Sequence, residues 1–68
     1  MTFEDGKIYG LLLAASETWG ESQNPWMFKR LVEMAGVKSS ADLEEKMSRM
    51  YMTEYDVENL RKGWEYDA

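Results

Sequence analysis

The stretch that most limits how this chain can fold is residues 8–15, Ile-Tyr-Gly-Leu-Leu-Leu-Ala-Ala, the one long apolar run in a heavily charged sequence. At helical spacing Ile8, Leu12, Ala15 and Trp19 fall on one face, Tyr9 and Leu13 widen it, and Leu11 carries it round the far side. A helix apolar over so much of its circumference belongs in the middle of a structure, with other helices around it. Gly6, Gly10 and Ala14 are four residues apart and form a smooth strip on the same helix. Each of the two glycines costs about 1 kcal/mol against alanine, so the strip needs a reason. Two readings are open: a neighbouring helix backbone packs closely there, or another chain docks there.

Caps and breakers divide the rest. Thr2 opens the first helix, with Glu4 and Asp5 in its first turn where the positive end of the dipole favours acids. This helix is expected to run to about residue 18 and to end at Gly20, followed by a polar loop of Glu21, Ser22 and Gln23. Asn24-Pro25 then caps and starts a second helix over residues 25–35. Met27, Phe28, Leu31, Val32, Met34 and Ala35 are its expected buried side, while Lys29, Arg30 and Glu33 face water. Gly36 suits the left-handed residue that closes a helix, and Val37 can fold back on Val32. A third helix starts at Ser39 or Ser40, with Asp42 placed for a capping box and a narrow stripe of Leu43, Met47 and Met50. Asp42 with Lys46, and Glu45 with Arg49, are acid-first pairs four residues apart.

Thr53 reads as a fresh cap, with Met52 and Val57 as the two halves of a hydrophobic staple. The fourth helix is expected over residues 54–62, ended by Gly63. A single helix from 40 to 62 is the competing reading, but its apolar stripe changes direction at about residue 51. The fold class is therefore an all-α bundle of three to four short helices. Residues 1–63 form one domain, and residues 64–68, which alternate Trp64, Tyr66 with Glu65, Asp67, form an acidic-aromatic tail. As an extended segment the tail would put both rings on one side.

Composition narrows the function. Sixty-eight residues with neither cysteine nor histidine offer no disulfide framework and no ordinary zinc site, and they lack the commonest general base and the thiol nucleophile. No catalytic, cofactor-binding or metal-ligating residue is expected. The net charge of −5 argues against direct binding to nucleic acid. Residues 1–24 carry −3, residues 25–52 carry +1 and residues 53–68 carry −3. The apolar run is too short to cross a bilayer, and the lone Lys7 before it, offset by Glu4 and Asp5, is no basic leader as in a secretory signal, so a cytoplasmic protein is expected.

Residues 28–50, two short helices around a turn containing Gly36, resemble the helix-turn-helix family in having Leu31 and Ala35 before the glycine and Val37 after it. The resemblance would imply a DNA-binding regulator. It departs where reading would occur, because the second helix opens Ala41-Asp42-Leu43-Glu44-Glu45 and presents three acids.

The aromatic residues say more. Trp19, Trp26, Tyr51, Tyr55, Trp64 and Tyr66 stand at helix ends or junctions, more rings than one small core covers. Trp and Tyr are frequent interface anchors. The expected interface is Trp64, Tyr66, Tyr55, Tyr51 and Trp26, with the acids Glu54, Glu58, Glu65 and Asp67 beside them. Asp56 is a further candidate for the acidic surface. Trp64→Ala is expected to weaken binding more than it lowers the melting temperature. Size and charge are similar to those of many small phage or mobile-element proteins that inhibit host machinery, anti-CRISPR proteins and DNA mimics among them. The expected partner is a larger protein with a basic nucleic-acid-binding cleft. The alternative is a self-associating assembly module, a homodimer included.

Overall fold

The computed structural model describes residues 2–66, and among these it is an all-α bundle of four helices with no strand. Helix α1 spans Phe3–Ser22, α2 Pro25–Met34, α3 Ser40–Arg49 and α4 Glu54–Tyr66. A 20-residue helix is about 30 Å long, so α1 runs the full 29 Å length of the molecule. It packs against both α2 and α4. Leu12, Ala15 and Trp19 are buried on its inner face, with Ile8 and Tyr9 packed against the same core.

Each start signal operates as local chemistry dictates. Thr2 Oγ1 accepts from the Asp5 N–H at 3.1 Å, and Asn24 Oδ1 accepts from the Trp26 and Met27 N–H groups. Ser39 Oγ accepts from the Asp42 N–H, and the Asp42 carboxylate reaches back to the Lys38 N–H, one residue outside the usual capping box. After α2, Gly36 takes φ 83°, and the Val37 N–H donates to the Val32 carbonyl at 3.1 Å. That is a Schellman closure with its apolar contact, since Val32 and Val37 are both buried. The chain breaks between α3 and α4 at Tyr51, which takes φ 54°. A single helix through this region is thereby ruled out.

Two expected helix ends are wrong, for one shared reason. Gly20 does not end α1, which continues to Ser22 and closes on left-handed Gln23, whose N–H donates to the Trp19 carbonyl. Gly63 does not end α4, which continues to Tyr66. Both glycines lie inside helices, where another side chain occupies the space of a Cβ: the Tyr55 hydroxyl and Asn59 at Gly20, the Phe28 ring at Gly63. The expected extended tail is therefore helical through Tyr66, and Asp67 lies outside the described residues.

The packing reading of the glycine strip fails as well. Gly6 and Gly10 are exposed, and a Cβ on either would meet nothing within 4 Å. The core is covered from one side of α1, and the strip faces away from it. On α2, Met27 and Met34 are exposed rather than buried, because they lie seven residues apart on a side outside the inward arc of Phe28, Val32 and Ala35.

α3 contributes Leu43 and Met47, with Met50 just after it, to the core. It is tied at its edges by Arg49 to Asp5 of α1 at 3.4 Å and by a two-bond pair between Glu44 and Arg61 of α4. The accessible surface of 4551 Å² is close to the roughly 4,500 Å² expected of a compact monomer of this mass.

Candidate interaction surface

Four of the aromatic residues singled out from the sequence are well exposed: Tyr51 at 93%, Trp26 at 72%, Tyr66 at 65% and Tyr55 at 58%. Trp19 is buried, and Trp64 is half-buried with its ring against the core. Glu54, Glu58 and Glu65 are exposed on α4. Asp56 is not part of that surface. Its carboxylate is buried between α1 and α4, where Oδ1 accepts from the Ser16 hydroxyl at 2.7 Å and Oδ2 from the Thr53 hydroxyl at 2.9 Å. Asn59 Nδ2 closes the group onto Ser16 at 3.4 Å. A carboxylate so placed aligns the start of α4 against α1 and is withheld from a partner.

These four exposed rings occupy four places. Tyr66, in the last turn of α4, has its ring 5.4 Å from that of Trp19, which in turn meets Phe28 edge-on at 5.8 Å. Tyr55 lies against Gly20 of α1, where the missing Cβ makes room for its hydroxyl. Trp26 stands in the first turn of α2 and Tyr51 at the α3–α4 turn.

Tyr51 is associated with the acids. It walls a hollow of about 220 Å³ with Met47, Met52 and Val57, bordered by Glu44 and Arg61. Val57 and Arg61 also line the adjoining depression with Glu54, Glu58, Glu65 and Lys62. The α3–α4 side therefore gathers one predicted ring and three predicted acids. Glu44 and Arg61 border it, and Met47, Met52 and Val57, expected from the sequence as core stripe and hydrophobic staple, complete it. The i to i+4 spacing of Val57 and Arg61 was the available signal, but pairing with α3 is tertiary.

Electrostatics on this side are fixed by ion pairs. The Arg61 hydrogen bond holds the Glu44 carboxyl below its ordinary value, and Glu44 pushes the Arg61 guanidinium up in return. Lys62, 2.8 Å from Glu58, lowers Glu58 in the same way, and the Lys46 hydrogen bond lowers Asp42. These carboxylates are ionised at neutral pH. The three acids at the start of the helix-turn-helix-like second helix are all engaged within the chain: Asp42 with Lys46, Glu44 with Arg61, Glu45 with Arg49.

Tyr51 is held at a cost. A non-glycine residue in the left-handed region loses about 1 kcal/mol or more relative to glycine. Gly36 occupies the equivalent position after α2. Among the described residues no group of acidic side chains could hold a metal ion, and no helix is long and apolar enough to cross a membrane. Compared with known proteins, the chain matches no family model, and neither a curated protein nor a solved structure is significantly similar to it.

Proposed function

We propose that this chain is a small acidic protein-binding module that works by occupying a surface of a larger protein, without chemistry of its own. Its partner on this reading is a nucleic-acid-handling protein with a basic cleft. Its mode of action is that of the small phage and mobile-element inhibitors that block or imitate DNA, and its site of action is the cytoplasm. The observation that carries the reading is the combination of five exposed aromatic rings, Phe3, Trp26, Tyr51, Tyr55 and Tyr66, with a net charge of −5. A chain already compact as a monomer gains nothing in folding from Trp26 or Tyr51 in water, whereas such rings are strong anchors at an interface.

The test is capture of partners from a lysate of the source cells on immobilised chain, followed by a DNA-binding assay on the captured protein. A basic, nucleic-acid-handling protein that binds stoichiometrically and releases DNA as the chain is added supports the reading. Recovery of no such protein sinks it.

Self-association is the second reading, favoured by the bare face of α1 at Gly6 and Gly10. Sedimentation at micromolar concentration separates the two, because an assembly module sediments as a dimer or larger species.

A further inference from the structure

Tyr51 stands where the backbone would be better served by glycine, and among the described residues it is the most exposed large apolar side chain. Its ring is 93% exposed and is not part of the core, which is reached on either side by buried Met50 and partly buried Met52. A bulky side chain in a left-handed conformation is uncommon, and such strain collects where a residue is kept for contact with something else.

The surroundings indicate what that is. The hollow beside the ring is lined by Met52, Val57 and the edge of buried Met47, together with Ser48, Glu44 and Arg61, and methionine side chains reshape around an occupant. Its volume of about 220 Å³ is below the roughly 300 Å³ at which small-molecule sites begin, but it accepts one large side chain. Arg61 is already held through two hydrogen bonds by Glu44, so the hollow offers an incoming acid little. Past Val57 the surface carries Glu54, Glu58 and Glu65 with Lys62. Lys62 pairs with Glu58 at 2.8 Å, so Glu54 and Glu65 are the carboxylates offered to an incoming base.

We propose that this α3–α4 hollow docks a basic segment of a partner protein, which inserts one aromatic or long aliphatic side chain beside Tyr51 and sets lysine or arginine against the α4 carboxylates. The occupant follows from charge complementarity and from the size of the cavity, and the inference rests on the protein-binding reading above.

The test titrates isotope-labelled protein with the peptide Arg-Lys-Phe-Lys-Arg, followed by amide chemical shifts. A control peptide carries serine in place of phenylalanine. The expected result is shifts concentrated at Met47, Tyr51, Met52 and Val57. Affinity should fall about tenfold or more for the serine peptide and for the Tyr51→Gly variant. That variant should also melt higher than the parent, which separates loss of binding from loss of folding. Tyr51→Phe should bind as the parent does. Shifts absent at millimolar peptide, centred on Trp26 or Tyr55, or unchanged in Tyr51→Gly would overturn the proposal. If Tyr51→Gly captures the basic partner from lysate as well as the parent does, the hollow is the wrong site and the protein-binding reading stands. If neither captures such a partner, both fall.

Discussion

Gly63 lies directly against the ring of Phe28, so that a methyl group on Gly63 would come within 2.6 Å of the ring's Cζ. Phe28 is fully buried and also meets Trp19 edge-on, which leaves the ring nowhere to retreat. Gly63→Ala should therefore lower stability by about 1–3 kcal/mol, the overpacking cost exceeding the roughly 1 kcal/mol gained in helix propensity. Gly6→Ala and Gly10→Ala should do the reverse, each raising stability by about 0.5–1 kcal/mol, because a Cβ there meets nothing. Urea denaturation of the three variants checks the signs, and stabilisation by Gly63→Ala would contradict the packing described.

The Ser16–Asp56 pair should be strongly coupled. Ser16→Ala leaves Asp56 Oδ1 without its buried donor, at a cost of about 1–3 kcal/mol. Asp56→Ala strips partners from both Ser16 and Thr53 and should cost at least as much. The double variant should fall well short of the sum, by a margin that a double-mutant cycle measures.

Trp64 and Trp26 should behave oppositely. Trp64→Ala removes a ring that packs on the core and should lower stability by about 2 kcal/mol, so a binding defect in this variant is read only alongside its melting temperature. Trp26→Ala removes an exposed ring and should stay within about 0.5 kcal/mol of the parent. Thermal melts decide between them, and an equal loss in both would place Trp26 in the core.

Acidification should weaken the α3–α4 tie. Glu44 is held below its ordinary value by Arg61. Its contribution is thus complete above the unfolded value of about 4.3 and is lost as pH falls through the lower folded value. Both partners are about half exposed, so at neutral pH solvent screening keeps the pair's contribution small. Between pH 5 and pH 3, Glu44→Gln should lose less stability than the parent, and 0.5 M salt should shrink that difference. A steeper acid decline in the variant would reverse the sign and reject this account.

The sequence made the starts of helices plain and their ends less so. Thr2, Asn24, Ser39 and Thr53 act through bonds within three residues, so their chemistry is visible in the local string. Gly36 was equally plain because Val37 and Val32 complete its motif nearby. Gly20 and Gly63 misled because their partners, Tyr55 with Asn59 and Phe28, lie 35 or more residues away. Asp56 looked like surface for a similar reason: its burial depends on Ser16, forty positions earlier. Of the six rings singled out from the sequence four are exposed, but Trp19 is buried, Trp64 packs on the core and exposed Phe3 did not stand out. The hollow beside Tyr51 is formed by residues of both α3 and α4.

The continuation of α4 through Gly63 changes what its final turn is. Tyr66 rides on a rigid rod and leans on Trp19 instead of ending a loose strand. Any molecule that meets this end finds the ring already oriented, so the ordering entropy that a floppy terminus would surrender on contact was given up at folding. Trp19 is also part of the core, so substitutions deep in the bundle should be transmitted to the outside at this ring, through the same stack.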